Sequence, residues 1–314
     1  MESKNKCSRC SRDSIIELKY LGESLCGRCF TKLFEKRIRR TIRLNKLLKY
    51  DDRIGITLSG GKDSAVALYI MKRLTSSIPK SEIIAITIDP GIKGYGKKSL
   101  KAAKNLCKGL DVEQYVFSFR EYFGFTIDEL VKKIKSVGNK APTCSYCGIL
   151  RRKLINERGR ELGLNKIVTG HNLDDEVQTA LMNYIRGDFN RIIRMGPFVG
   201  VLKNKGFVPR IKPLRECPEE EILRYAIIKK IEFNKDRCPY SYDAFRQTIR
   251  GIIDTIEKKY PGSRFQMLNS TDNLIEILRK NVEFKKINIC AECGELTSGR
   301  LCKVCEMIKE LDLG

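Results

Sequence analysis

Residues 59–64 read Ser-Gly-Gly-Lys-Asp-Ser and connect a short apolar strand, predicted over 53–58, to a helix predicted over 64–74. The two glycines let backbone amides approach an anion without a Cβ clash, and a helix N-terminus adds free N–H donors. The loop is not a Walker A motif, because Gly61 stands where that motif needs lysine and Asp63 where it needs serine or threonine. It predicts a nucleotide-phosphate site in which Lys62 supplies a cation and Asp63 a ligand for Mg²⁺.

Strands and helices alternate after this loop. Further strands are predicted over 82–88, 112–119 and 166–169, with helices over 97–108 and 126–134, from the central cysteines to 162, and from Asp174 onward. This alternation is typical of an α/β fold with a doubly wound parallel sheet, whose ligands bind beyond the carboxyl ends of the strands. Residues 187–212 are expected to be irregular, and helices are expected over 218–230, 242–259 and 265–280.

Eight of the thirteen cysteines form two sets at the ends of the chain. The spacing within each set is that of a four-thiolate zinc ribbon, in which two Cys-x-x-Cys pairs bind one tetrahedral ion. We therefore predict two structural Zn²⁺ sites. Their ligands are Cys7, Cys10, Cys26 and Cys29 at one end, and Cys290, Cys293, Cys302 and Cys305 at the other.

The charge of the chain predicts a polyanionic partner. Its 61 basic and 38 acidic residues leave a net charge of +23, and basic side chains release the counterions condensed on nucleic-acid phosphates. Residues 30–49 are predicted to form a basic helix with an apolar stripe, and its cations are Lys36, Arg37, Arg39, Arg40, Arg43 and Lys46. We expect this end to grip phosphate, although a merely solvated helix face has the same pattern. No apolar run is long enough for a membrane span and no signal peptide is evident, so we expect no membrane association and a cytoplasmic location.

The pair Cys144 and Cys147 lies mid-chain, where two thiolates alone cannot complete a zinc site. Cys238 and Cys217 stand in proline-flanked contexts and are candidate partners, whereas Cys107 falls within a predicted helix and is expected to be a core residue. Three thiolates on an iron–sulfur cluster would leave one coordination position open for sulfide. Alternatively, Cys144 and Cys238 carry a persulfide and resolve it as a disulfide, with thiol pKa values lowered by Arg151 and Arg237. A third structural zinc site is the remaining alternative.

A second polar motif, Gly-His-Asn-Leu-Asp-Asp-Glu at 170–176, follows a predicted strand and opens a helix. The three acids also complement a helix dipole, which is the purely structural explanation. His171, the only histidine, is nevertheless placed at the carboxyl end of a strand, where this fold binds its ligands.

The motif at 59–64 resembles the PP-loop of ATP pyrophosphatases, which cleave ATP between its α and β phosphates. Together with Cys144, Cys147 and the motif at 170–176, it resembles the TtcA/TtuA superfamily of tRNA 2-thiolation enzymes. The resemblance covers nearly the whole chain and implies a HUP-like PP-loop domain flanked by zinc ribbons. The implied regions are a ribbon at 1–30, a basic linker helix at 31–50, the PP-loop domain at 51–215, a helical extension at 216–284 and a ribbon at 285–314.

The resemblance also implies the site residues. ATP contacts are expected at Thr57, Ser59, Gly60, Gly61, Lys62, Asp63, Ser64, Arg151, Gly170, His171 and Asp175. Asp63 and Asp175 are expected near the reacting phosphates. An oxygen-sensitive 4Fe–4S cluster is expected on Cys144, Cys147 and Cys238, with the fourth iron free to bind the transferred sulfur. Some relatives have lysine where this chain has Arg151, so its implied catalytic role is the least direct.

The implied reaction begins with attack of a uridine C2 oxygen on the α-phosphate of ATP, followed by displacement of AMP by sulfide. The patterns at 183–188 and 191–194 resemble the wobble-uridine branch rather than the T-loop branch. Sulfur is expected from a ubiquitin-like carrier protein or free sulfide, and the enzyme is expected to be a homodimer. The alternatives are T-loop thiolation, cluster-free persulfide chemistry, a PP-loop synthase that adds an amine to tRNA, and a non-catalytic zinc-ribbon subunit that binds tRNA.

Overall fold

A six-stranded sheet organises the chain in a computed structural model that describes residues 6–138, 142–199, 206–241, 244–281 and 288–313. The strands are β1 (Ile16–Leu18), β2 (Glu23–Leu25), β3 (Arg53–Thr57), β4 (Glu82–Asp89), β5 (Glu113–Ser118), β6 (Lys166–Val168), β7 (Phe198–Val199), β8 (Arg210–Ile211), β9 (Asn288–Ile289) and β10 (Leu296–Thr297). The helices are α1 (Gly27–Leu44), α2 (Lys62–Thr75), α3 (Tyr95–Leu110), α4 (Phe119–Phe123), α5 (Ile127–Ser136), α6 (Thr143–Glu161), α7 (Leu173–Ile185), α8 (Phe189–Ile193), α9 (Glu219–Ile228), α10 (Ala244–Lys259), α11 (Ser263–Asn281) and α12 (Lys303–Glu310).

The central sheet has the strand order β5-β4-β3-β6-β8-β7, in which β7 alone runs antiparallel, at one edge. The predicted α/β class with a largely parallel sheet is confirmed. The prediction that residues 187–212 are irregular is wrong in part, because α8, β7 and β8 lie there. Two-residue strands are too short to carry a periodic pattern, and they form here because β6 offers β8 a free edge.

One face of the sheet packs against the N-terminal ribbon. Ile54 and Ile56 of β3 share a core with α2, with Cys7 and Cys26 of the ribbon, and with Phe30 and Phe34 of α1. Both phenylalanines are fully buried, and burying each contributes about 1.5–3 kcal/mol. The first ribbon and the helix that follows it are therefore part of the principal core rather than a separate appendage.

The opposite face of the sheet packs against the C-terminal ribbon. Ile84, Ile86 and Ile88 alternate along β4 and pack with α5, α6 and the ribbon cysteines Cys290, Cys302 and Cys305. The ribbon is also held by polar contacts to α6, because Arg160 pairs with Glu295 at 2.8 Å and Asn156 donates to the same carboxylate at 3.2 Å. The helix that carries the central cysteines, α6, is therefore in direct contact with this ribbon.

The basic face predicted on α1 differs from the observed one at Arg37. This side chain is only 11% exposed and pairs with Glu221 of α9 at 2.8 Å, while its guanidinium also contacts the Tyr20 hydroxyl. Arg37 is therefore a structural cation rather than a phosphate ligand. Lys36, Arg40, Arg43 and Lys46 remain exposed.

The remaining helices, α10 and α11, pack against α7 through Val177, Ile249, Ile253 and Leu268. Residues 242 and 243, at the start of the helix predicted over 242–259, lie outside the described residues. Within the described part of the chain, no helix combines the length and apolar character required to cross a bilayer.

Candidate active site at the carboxyl ends of the strands

The phosphate loop lies between β3 and α2 and is folded by its two serines. Ser59 N–H donates to Ser64 Oγ at 3.1 Å, the two hydroxyl oxygens lie 3.0 Å apart, and Ser64 Oγ donates to the Gly61 carbonyl at 2.9 Å. No side chain caps α2 at Gly61, so the first amides of this helix are available to an anion.

Two glycines permit the close contacts around this loop. Gly60 has φ +83°, and a Cβ there would lie 2.4 Å from the Ser99 carbonyl oxygen. A Cβ on Gly170 would lie 2.8 Å from the Ser64 amide nitrogen, so Gly170 lets the end of β6 pack against the first turn of α2. Thr57 is positioned by donating to the Val168 carbonyl at 3.0 Å. The motif at 170–176 therefore lies beside the phosphate loop.

Asn172 links the two predicted catalytic aspartates. Its side-chain amide donates to Asp63 at 3.1 Å, and its side-chain oxygen accepts from the Asp175 amide at 3.0 Å in a capping box at the start of α7. Burial raises the pKa of Asp63 and of Asp175, although Lys62 opposes the rise at Asp63. A cation beside these carboxylates would offset the cost of keeping them ionised.

Glu219 and Asn172 are site residues that sequence reasoning missed. Lys62 Nζ contacts Asp63 at 3.0 Å and Glu219 of α9 at 2.7 Å, and Arg250 binds the other oxygen of Glu219 at 2.6 Å. Glu219 follows a proline at a helix start, where an acid is already expected for the helix dipole, so nothing in the sequence distinguishes it. Asn172 carries an N-cap signal but none for contact with Asp63.

The central cysteines lie in the first two turns of α6. Arg151 Nε donates to Cys147 Sγ at 3.3 Å, and the exposed Cys144 donates through its thiol to the Tyr240 carbonyl at 2.8 Å. Burial raises the pKa of Cys238, Cys147 adds to the rise, and Arg151 opposes it. The low thiol pKa expected at Cys238 for persulfide chemistry is therefore wrong, because burial outweighs the nearby cation.

The segment 231–241 connects the phosphate loop to the cysteines. The Asn234 amide donates to the Gly60 carbonyl at 2.8 Å, and its side chain donates to Ser99 at 3.0 Å. Farther along, Tyr240 donates to Asp128 at 2.8 Å. Cys238 lies four positions after Asn234, a span of at most about 14 Å. Asn234 had no signal in the sequence, because its role depends on where the chain crosses the loop.

The two terminal cysteine sets have the geometry of single-ion sites. Among the described residues they are the only groups of three or more metal-binding side chains whose ligand atoms all lie within 4.8 Å of one another. Cys10 Sγ lies 3.6 Å from Cys26 Sγ and 3.7 Å from Cys29 Sγ, and Cys293 Sγ lies 3.6 Å from Cys302 Sγ. A tetrahedron with Zn–S bonds of about 2.3 Å has edges of about 3.8 Å, so both sets fit zinc.

Cys144, Cys147 and Cys238 do not form such a close-packed set. Wider spacing is what a cluster requires, since each cysteine then binds a different iron atom. Cys217 and Cys107 are buried in the core on the other face of the sheet and supply no fourth ligand. The donor set therefore fits a cluster with three protein ligands better than a third zinc ion.

The His171 ring forms a hydrogen bond between Nδ1 and Thr169 Oγ1 at 2.7 Å. Desolvation by the surrounding protein, together with Lys212, lowers its pKa from 6.5 to about 4. Between those values the unfolded chain binds a proton that the folded chain does not, so this residue lowers the free energy of unfolding as pH falls.

A single histidine makes this prediction directly measurable by NMR. The ring of His171 is expected to titrate with a midpoint of about 4 in the folded protein and near 6.5 in urea. A folded-state midpoint near 6.5 would show that the surrounding protein does not lower the pKa of His171.

Comparison with known proteins identifies the class first. Residues 31–256 match the PP-loop domain family, and residues 6–31 match the N-terminal LIM domain of 2-thiouridine synthetase TtuA. The chain is 37% identical to a probable sulfurtransferase of Methanocaldococcus jannaschii, over 97% of the chain and 87% of the relative. It is 35% identical to the tRNA 2-thiolation protein NcsA of Haloferax volcanii, over 98% and 99%.

A solved structure matches the whole fold. U34-tRNA thiolase NcsA from Methanococcus maripaludis, with its 4Fe–4S cluster, has a TM-score of 0.85 and 35% identity, over 99% of this chain and 97% of that one. The chain belongs to the family of PP-loop tRNA 2-thiolation proteins. The family and the enzyme class expected from the sequence, an ATP-dependent sulfurtransferase that thiolates tRNA, are thereby confirmed.

Proposed function

We propose that this protein replaces the C2 oxygen of a tRNA uridine with sulfur, and that it uses ATP to activate that oxygen. The observation that carries the proposal is the segment 231–241, which includes Cys238, contacts the phosphate loop at Asn234 and accepts a hydrogen bond from the Cys144 thiol at the Tyr240 carbonyl. An adenylating site and a sulfur-binding site are then neighbours, as a two-step thiolation requires.

The phosphate loop performs the first step. The free amides at the start of α2 and the cation of Lys62 bind the phosphates of ATP, and Asp63 and Asp175 would hold a Mg²⁺ ion that neutralises phosphate charge. The uridine O2 attacks the α-phosphorus, a P–O bond forms, and the bond to pyrophosphate breaks. The residues of the loop mainly position ATP and stabilise charge that develops on the phosphates.

The cysteine set performs the second step. Cys144, Cys147 and Cys238 would hold a 4Fe–4S cluster, which when bound would supply a binding position for the incoming sulfur. Arg151, 3.3 Å from Cys147, offsets negative charge on the thiolates. Sulfide attacks C2, the C2–O bond breaks, and AMP leaves with the original oxygen, so no net redox change occurs.

The remaining parts of the proposal concern partners and metals. The terminal ribbons each hold one structural Zn²⁺, and the sulfur is supplied by a ubiquitin-like carrier or free sulfide. The enzyme acts as a homodimer in the cytoplasm, in keeping with relatives named cytoplasmic tRNA 2-thiolation proteins.

The wobble uridine is the favoured target. Similarity to a U34-tRNA thiolase along 99% of the chain supports this position. The T-loop uridine is the second candidate, since residues 6–31 match the first domain of TtuA. Mass spectrometry of nuclease fragments separates the two positions, because each gives a distinct thiolated oligonucleotide.

The proposal is tested with anaerobically purified protein, ATP, sulfide and unmodified tRNA. We expect one AMP and one pyrophosphate for each 2-thiouridine formed, and no product without ATP. The matched control is air-exposed protein, which is expected to retain zinc but lose thiolation. Absence of both ATP cleavage and thiouridine with fully iron-loaded protein would reject the proposed reaction.

A further inference from the structure

The guanidinium of Arg210 lies against the backbone of Arg152, and each of these two arginines lacks a carboxylate partner among the described residues. Arg210 Nη2 donates to the Arg152 carbonyl at 3.2 Å, which ties β8 to α6. Among the residues that the structure describes, no carboxylate pairs with either side chain. Two lysines of the site do have carboxylate partners, since Lys62 contacts Glu219 at 2.7 Å and Lys212 contacts Glu176 at 2.6 Å.

The pair lies beside the proposed sulfur site. A Cβ on Gly148 would lie 3.2 Å from Arg152 Nη1, so the guanidinium of Arg152 rests against the residue that follows Cys147. Arg210 is close enough to His171 to help lower the pKa of that ring. The two arginines therefore border the region between the cysteines and the motif at 170–176.

The pair is distinct from the ATP-phosphate loop. β8 is two strands away from β3 in the sheet, which corresponds to roughly 10 Å. Lys62 and the first amides of α2 are already proposed to bind the phosphates of ATP. An anion bound by Arg152 and Arg210 would thus be a second anion, held next to the cysteines rather than on the nucleotide.

Leaving these cations unpaired is unfavourable. Burial and the charge of Arg152 lower the pKa of Arg210 to about 10. Burial and the charge of Arg191 lower the pKa of Arg152, and Cys147 opposes that fall in part. Neighbouring positive charges repel each other, and a partly buried cation such as Arg210 is normally paired with an anion. Arg152 is exposed and Arg210 partly buried, so a ligand can reach both.

We propose that Arg152 and Arg210 together bind a backbone phosphate of the RNA substrate, next to the nucleotide whose base enters the cysteine site. Guanidinium groups match phosphate oxygens in a bidentate manner, and the net charge of +23 favours a polyanion over a single small anion. The proposal rests on the proposed function, since it takes the substrate to be tRNA. The pair positions the target base, which must leave its stack to react.

The test measures tRNA binding rather than turnover, using iron-loaded protein and the variants Arg152→Gln, Arg210→Gln and the double variant. Each single substitution is expected to weaken tRNA binding roughly tenfold and to reduce the slope of log K against log salt by about 0.7–0.9. The double variant is expected to lose about twice that slope. Iron content and ATP affinity are expected to remain unchanged. Arg73→Gln, which breaks a remote pair with Glu35, is the matched control and is expected to bind tRNA normally.

The outcomes separate this site from the proposed reaction. A reduced salt slope in the variants, together with a wild-type protein that binds tRNA but does not thiolate it, would support the phosphate site and reject the function. Unchanged tRNA affinity and slope in the double variant would overturn the site. A raised KM for sulfide or for a carrier protein, with unchanged tRNA binding, would also overturn it, because the pair would then bind the sulfur donor. Arg210→Lys, which keeps the charge, is expected to recover most of the salt slope and shows that lost binding is not a folding defect.

Discussion

Cys238→Ala is expected to lower 2-thiouridine formation by at least ~10³-fold, equivalent to about 4 kcal/mol of barrier, while ATP affinity stays unchanged. Thiolation is expected to fall because Cys238, which is close to Cys147 and Arg151, is one of the three proposed cluster ligands. ATP affinity is expected to stay because Asn234, and not Cys238, contacts the phosphate loop. Cys144→Ala and Cys147→Ala are expected to behave in the same way. Turnover and ATP titration measure these two effects, and metal analysis measures the iron and zinc content.

Cys107→Ala is the matched control for this series. It also removes one thiol, but a buried one from the core on the other face of the sheet, and it is expected to cost no more than about 2 kcal/mol of stability. Iron is expected to fall in the three cluster variants while zinc remains at two ions per chain. Full thiolation by Cys238→Ala would contradict the cluster assignment, and loss of zinc in the same variant would indicate a general folding defect.

Gly60→Ala is expected to weaken ATP binding ~100-fold or more, which is about 2.7 kcal/mol. A side chain at φ +83° costs about 1–2 kcal/mol, and this Cβ would in addition lie 2.4 Å from the Ser99 backbone oxygen. Because the obstacle is backbone, α3 or the loop must shift, and the amides that face the phosphates shift with it. Calorimetry of ATP binding measures the loss.

Substitutions at two other glycines distinguish the cost of a positive φ from the cost of the contact with Ser99. Gly94 has φ +78° and nothing within 4 Å of its Cβ position, so Gly94→Ala isolates the backbone cost and is expected to leave ATP affinity intact. Gly61, whose φ is −82°, has only Ser59 Oγ near its Cβ position, at 3.6 Å, so Gly61→Ala is expected to weaken binding far less than Gly60→Ala. Equal losses in Gly60→Ala and Gly61→Ala would mean that crowding of the ligand, not loop geometry, explains both.

Local patterns were sufficient for most of the sheet and for the two ribbons. The helix after the phosphate loop was predicted over 64–74 and observed as Lys62–Thr75, and the strand at 82–88 was observed as Glu82–Asp89. Long elements with steady burial carry such signals. The two-residue strands β7 and β8 do not, because only pairing with a neighbour defines them.

The site was harder to predict than the fold. The motifs at 59–64 and 170–176 were found from their residue types, but the contact of Asn172 with Asp63 joins positions more than a hundred residues apart. The same is true of Lys62 with Glu219. Arg37 illustrates the opposite error, since a cation on a basic helix face was expected to contact solvent or phosphate and instead pairs with Glu221.

Sequence alone determined the chemistry of this protein: a phosphate loop, two sets of zinc-spaced thiols and a central cysteine pair, because each is written in a few adjacent residues. Only the tertiary structure decided that one segment contacts the phosphate loop at Asn234 and Cys144 at Tyr240. It also decided that the Arg210 side chain lies against the Arg152 backbone. These contacts depend on where distant segments cross, and burial and charge at a crossing are properties of the folded chain.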